Sequence, residues 1–159
     1  MIIGIILILI SLIVIAVSIV RYRTRENSVV SFKEAMNLID LPIITVQNNN
    51  TKINLLLDTG SNSSYISPEI LKYLKYEEVE ITNTTVGFGG SSTHSKGCNM
   101  KINYKKLTFE DIFIVMQSDD IFTTIKQNYG VHIHGILGSK FFDRYNYIID
   151  FSDLIAYIR

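Results

Sequence analysis

Three groups of residues in this chain have types and spacings that could do chemistry. The first is Asp58-Thr59-Gly60-Ser61, which directly follows the apolar run Leu55-Leu56-Leu57. An acid fixed at the end of a core strand can serve as a general acid or base. The same letters also make good turn chemistry, so the plain alternative is a turn at a strand end. The second group is Gly87-Phe88-Gly89-Gly90-Ser91-Ser92, a glycine-rich loop. It lacks the Gly-Lys-Ser/Thr ending of a phosphate-binding loop, so by itself it reads as an ordinary hairpin loop. The third is His132 and His134, which a strand would place on one face. With His94 and Cys98 they suggest a zinc set, but no further close-spaced ligand pair accompanies them. They read instead as loop or strand-surface histidines, and neither metal nor cofactor is expected.

The elements that would position these groups are mostly short strands. Ile43–Val46, the turn Asn48-Asn49-Asn50 and Ile53–Leu57 read as a hairpin. The unbroken apolar run before Asp58 predicts a strand buried on both faces. Ser67-Pro68-Glu69 is a helix start, with a capping hydroxyl, a proline where no donor is needed and an acid in the first turn. Glu80–Val86 and Lys96–Tyr104 flank the glycine loop as two strands, and Phe109–Met116 is another. Asp119–Tyr129 fits a short helix ended by Gly130; strands at Gly135–Gly138, Tyr147–Phe151 and Leu154–Ile158 follow. Ser31 and Glu34 have the spacing of a capping box, yet their segment carries no sustained apolar stripe, so its structure stays open.

The chain has 159 residues, enough for one compact core, and no internal repeat that would double a site. Its 15 basic and 15 acidic residues balance, so no overall field draws it to nucleic acid. Its single cysteine, Cys98, cannot form an internal disulfide and reads as core packing. Met1–Val20 carries no charge and has about the 20 apolar residues that cross a bilayer as a helix. Arg21, Arg23 and Arg25 follow it, so the positive-inside rule puts the rest in the cytoplasm and brings the chain against membrane lipid. A cleaved signal peptide fits less well, because the basic n-region is missing. The expected organisation is therefore an anchor at Met1–Val20, a linker over 21–40 and a folded domain over 41–159.

Taken in order, Asp58 to Ser61, the loop from Val86 to Ser92 and the late Ile136-Leu137-Gly138 resemble the pepsin and retroviral-protease superfamily of aspartic proteases. The similarity is greatest to its retropepsin-like branch, with one motif per chain. The resemblance implies an all-β fold, a closed retropepsin-like barrel or sandwich with a flap hairpin and one or two short helices, here preceded by the transmembrane helix. It makes Gly87, Phe88, Gly89 and Gly90 the flap tip, with Phe88 nearest the substrate where pepsin-like flaps carry tyrosine. Ile136, Leu137 and Gly138 would brace the catalytic loop. Ser139–Asp143 would be helix-like and the chain end a terminal hairpin.

By that resemblance Asp58 is the catalytic acid of an endopeptidase acting on peptides or proteins. In such enzymes two carboxylates share a proton and hold one water; the ionised member activates it and the protonated member donates to the scissile carbonyl. One Asp58 cannot play both parts, so a two-fold homodimer is implied. Thr59 would bond across the two-fold axis, Gly60 would donate its amide to the Asp58 carboxylate, and Ser61 could donate to the same carboxylate in its ionised form. The last contact favours acidic conditions, whereas the cytoplasmic orientation favours neutral ones. Retroviral relatives commonly carry an arginine after the apolar-apolar-Gly segment; Ser139 and Lys140 stand there in this chain. Two other readings stay open: a membrane-tethered peptide-binding module without a dyad, and a half-enzyme that pairs with a different chain.

Overall fold

The structure, a computed structural model, describes residues 10–16, 30–87, 90–116 and 120–158. A short helical stretch, α1, covers residues 10–16. The body then runs α2 (Phe32–Ile39), β1 (Ile43–Asn48), β2 (Thr51–Leu57), β3 (Ser64–Ile66), α3 (Pro68–Leu71) and β4 (Glu77–Gly87). It continues with β5 (Gly90–Tyr104), β6 (Leu107–Val115), α4 (Asp120–Tyr129), β7 (Gly135–Leu137), α5 (Ser139–Tyr145), β8 (Tyr147–Asp150) and β9 (Ile155–Ile158).

Seven strands form one sheet in the order β1-β2-β7-β3-β6-β5-β4, and β1 also pairs with β5. Six of them thus close into a barrel, with β4 attached outside the ring. The expected strands are present with ends shifted by a few residues. Asn49-Asn50 joins β1 to β2, and Asn49 takes φ 50°. Asparagine tolerates that left-handed conformation better than most side chains, which is why this sequence can turn in two residues.

The unbroken apolar run of β2 serves two cores. Leu55 and Leu57 enter the main one, with Ile53, Ile66, Met100, Ile102, Phe113 and Leu137. Leu56 packs instead on a second cluster built from Val30, Ala35, Ile43, Ile125, Val131 and Ile133. That second core explains α2, which the sequence left open. The Glu34 amide donates to Ser31 Oγ at 3.2 Å and the Ser31 amide donates to Glu34 Oε2 at 2.9 Å, completing the capping box. Phe32 and Ala35 are buried, so the packed body reaches back to Val30, upstream of Leu41.

Four helices, α2 to α5, accompany the sheet where one or two were expected. α4 arises between β6 and β7 and ends at Gly130, whose φ of 71° suits glycine. Its Ile125, together with Phe122, fills the second core against α2. α3 starts at Pro68 as predicted, but Ser67 makes no capping bond to it. β8 and β9 form a separate hairpin beside an aromatic cluster of Phe109, Phe141, Tyr145 and Tyr147, whose rings stand 4.9–5.9 Å apart.

The seam that closes the barrel is narrow. β1 meets β5 through one ladder pair, Gln47 with Asn103. Beside it the buried Asn48 Nδ2 donates to the carbonyls of Lys75 and Lys101 at 2.8 and 2.9 Å, and its Oδ1 accepts the Lys75 amide at 2.7 Å. A side chain therefore does much of the work of a strand ladder here.

No helix of the described residues is long and apolar enough to cross a membrane. Apart from 10–16, the stretch expected to form the anchor lies outside the described residues.

Candidate active site

Asp58 sits where β2 leaves the barrel. β7 runs parallel to β2, pairing Leu57 with Leu137, and antiparallel to β3, pairing Ile136 with Tyr65. The Asp58 amide extends the β2–β7 ladder by donating to the Leu137 carbonyl at 3.0 Å. Ile136-Leu137-Gly138 thus lies beside the Asp58 loop, as the resemblance implies. The loop is stitched further by the Ser139 amide, which donates to the Ser61 carbonyl at 2.7 Å. Gly138 permits the approach: a Cβ there would stand 2.4 Å from the Ser63 carbonyl oxygen.

Within the loop, the Gly60 amide donates to Asp58 Oδ1 at 2.9 Å, the bond expected of it. Ser61 departs from expectation. Its hydroxyl donates to the Ser63 carbonyl at 2.8 Å, and a hydroxyl has only one hydrogen to give. It therefore tightens the loop and does not act on the Asp58 carboxylate. Asp58 is half-buried, while Thr59 and Gly60 are exposed.

Beneath the loop lies a brace that sequence spacing did not suggest. Ser64 Oγ donates to Asp111 Oδ2 at 2.6 Å, and the Gly138 amide donates to Ser64 Oγ at 3.2 Å. Arg144 pairs with Asp111 Oδ1 at 3.1 Å. Burial pushes the Asp111 carboxyl up from its ordinary value, while the Ser64 hydroxyl and Arg144 pull it back. These residues come from β3, β6, β7's end and α5, which only the fold brings together. Ser139 and Lys140 follow Gly138, and the arginine that reaches this brace is Arg144, five residues beyond Ser139 on α5.

The glycine loop joins β4 to β5, with Val86 opposite Ser91 and Gly87 opposite Gly90. This is a long two-stranded arm. Phe88 and Gly89 lie outside the described residues, as do the side chains of 82–95, His94 among them. The ladder slips between Glu80 and Asn83, a bulge near the arm's base.

The two histidines do share a face, with ring centroids 4.3 Å apart. His134 is nevertheless buried, where a surface histidine was expected. The Asn54 amide donates to its Nδ1 at 2.9 Å, so the ring hydrogen sits on Nε2. That tautomer leaves no lone pair for a metal on the open side of the ring. Burial first, then the charges of His132 and Lys126, holds His134 down to about 3. Cys98 is buried in the core, and its thiol is pushed up to about 11 by burial and Glu78, which suits packing and not reactivity. No group of metal-binding side chains occurs among the described residues.

Residues 44–141, more than half of the chain, match the aspartyl protease family. Among solved structures the fold is similar to the EIAV protease complexed with the inhibitor HBY-793, with a TM-score of 0.50 and 23% identity over 68% of this chain and 90% of that one. The retroviral protease-like domain of Ddi1 from Leishmania major also matches, with a TM-score of 0.49 and 14% identity over 74% of this chain and 87% of that one. No curated protein matches the sequence. The family match, the strand order and the Asp58 loop agree, and the chain belongs to the aspartyl protease family with a retropepsin-like fold.

Proposed function

We propose that this protein is an aspartic endopeptidase that works as a homodimer, each copy supplying Asp58. The observation that carries this reading is the loop itself. One carboxylate is held half-buried by Gly60 and the β2–β7 ladder, beside Thr59 and Gly60 left exposed. A lone acid so held lacks the second carboxylate that peptide hydrolysis by this chemistry needs, and a two-fold mate provides it at no cost in sequence. The ionised Asp58 of the pair takes a proton from the shared water as it attacks the scissile carbonyl. The protonated Asp58 donates to the carbonyl oxygen, giving a tetrahedral diol; the Asp58 that took the water's proton then passes it to the scissile nitrogen while its mate regains a proton from a diol hydroxyl, and the C–N bond breaks to release two peptides. The β4–β5 arm closes over an extended peptide.

We further propose that Met1–Val20 tethers the enzyme to a membrane with residues 41–159 on the cytoplasmic side. The uncharged run followed by three arginines supports this. So do the exposed apolar side chains Ile10, Leu12, Ile13, Val14 and Ile15 on α1. Two anchors in one bilayer would raise the local concentration of the pairing halves.

The test compares the full-length protein with Asp58→Asn on a peptide library while the mass in solution is measured. Cleavage should fall by at least about 10²-fold, the scale of an acid–base group, and the active species should have dimer mass. Equal cleavage by both proteins would remove Asp58 as the catalyst. Activity that appears only after adding a different chain would favour the mixed half-enzyme.

A further inference from the structure

A cleft of about 670 Å³ opens at the start of β2, lined by residues of β2, the β3–α3 junction and the segment before β7. It extends from the start of β2 to the level of Asn54, where His134 is bonded, about 13–20 Å from Asp58 at the usual rise of a strand. Its volume is within the range of small-molecule sites.

Two polar side chains with no conventional role are built into its wall. Ser67 is only 7% exposed, and its hydroxyl makes neither a capping bond to α3 nor any other hydrogen bond among the described residues. Among those residues, the only fully enclosed side-chain polar atom without a partner is the Tyr147 hydroxyl, so Ser67 Oγ is not sealed in the core; it borders this cleft and a hollow of about 10 Å³ beside Met116 and Phe122, and of the two only the cleft has room for a ligand. His134 is equally buried and lines the same cleft. Its inner nitrogen is used by the Asn54 amide, which leaves Nε2–H as a fixed donor on the outer side.

The backbone holds these two donors side by side. The Ser67 amide donates to the His134 carbonyl at 2.9 Å, and the His134 amide donates to the Asn54 carbonyl at 2.9 Å. Asn54 Nδ2 also donates to the His132 carbonyl at 2.9 Å, so the segment cannot slide. A pair of preorganised hydrogen donors asks for an acceptor, and the surrounding charge says which kind. Lys52 and Lys72 line the cleft against the single acid Glu69. Lys126 adds positive charge close enough to be felt at the His134 ring. Ile70 and Tyr73 give one wall an apolar body, which suits an organic group and not a bare ion.

We propose that this cleft binds a small organic anion, its carboxylate or phosphate oxygens held by Ser67 Oγ–H and His134 Nε2–H with Lys52 and Lys72 supplying countercharge, and its apolar part against Ile70 and Tyr73. The site is separate from Asp58 and does not depend on catalysis.

The test titrates the full chain with 3-phenylpropionate and, separately, phenyl phosphate, following the His134 ring nitrogens by NMR. The neutral 3-phenylpropanamide is the control. Saturable binding below about 10 mM, within reach of a fragment of this size, is expected for at least one anion, and whichever binds tighter names the head group. The amide should bind at least tenfold more weakly. Ser67→Ala removes a hydroxyl the fold does not use, so it should fold normally and weaken binding at least fivefold; Lys52→Met should do likewise. Asp58→Asn should leave binding unchanged. No saturation by either anion, equal binding of the amide, or full affinity in both Ser67→Ala and Lys52→Met would overturn the proposal.

Discussion

His134 is neutral, buried and bonded to the backbone of Asn54, and its environment sets a limit on the pH at which this fold can work. An unfolded histidine binds a proton near 6.5, whereas His134 in the fold does so only at about 3. Between these values the unfolded state binds more protons, so stability is lost as pH falls from 6.5 toward 3. At about 1.4 kcal/mol per unit, the full effect is on the order of a few kcal/mol. Urea midpoints measured from pH 7 down to pH 4 should fall more steeply in the native protein than in His134→Gln; parallel slopes would refute the assignment. The tension raised by Ser61 is thereby eased, because its hydroxyl serves the Ser63 carbonyl and His134 opposes acidic conditions. The Tyr147 hydroxyl is buried with no partner among the described residues, so Tyr147→Phe should raise stability by about 1 kcal/mol in urea unfolding, its aromatic contacts intact. A loss of stability would point to a bond that the static geometry lacks. At this scale the Gly60–Asp58 bond was legible because it is local. Asp111 and Arg144 were not, since they meet across two elements 33 positions apart in sequence, and histidine spacing gives a face but not a depth.

The strands were readable from their alternation and their turn residues, and the element that matters most to the site is one of the two shortest. β7 holds three residues, yet it pairs with β2 and β3 together and so decides where Asp58 leaves the sheet. Its glycine neighbours are fitted tightly. A Cβ on Gly138 would meet the Ser63 carbonyl carbon at 2.5 Å, and this is backbone that cannot swing aside. Gly138→Ala should therefore cost about 1–3 kcal/mol in thermal or urea unfolding. Gly60→Ala should cost less, since its nearest contact is Asp58 Oδ1 at 3.2 Å, though it would disturb that carboxylate. Equal stability losses in the two variants would contradict this account. α2 and α4 were harder to foresee as packed elements because neither has a core of its own. Each buries its apolar face against other elements, α4 with α2 in the second core and α2 also in the main core through Phe32, and that juxtaposition is a property of the fold.

For the molecule as a whole, closure of the ring unites contacts of very different reach along the chain. The hairpins β1–β2 and β5–β6 are local, whereas the β1–β5 seam joins Gln47 to Asn103 through one ladder pair and the Asn48 side chain. Barrel topology was suggested only by resemblance, and no local pattern marks Asn48 as more than a turn residue. Its position gives the barrel an order of opening. A seam held by one ladder pair and one side chain has the fewest bonds to break and is the one that parts first. Backbone amides flanking it should exchange with solvent by a smaller fluctuation than those between β2 and β7, and Asn48→Ala should widen that gap in hydrogen-exchange rates. If every amide in the barrel speeds up equally, the ring opens as one unit. If the seam leads, this barrel behaves as a sheet with a latch, and its loosest point lies at the opposite end of β2 from Asp58.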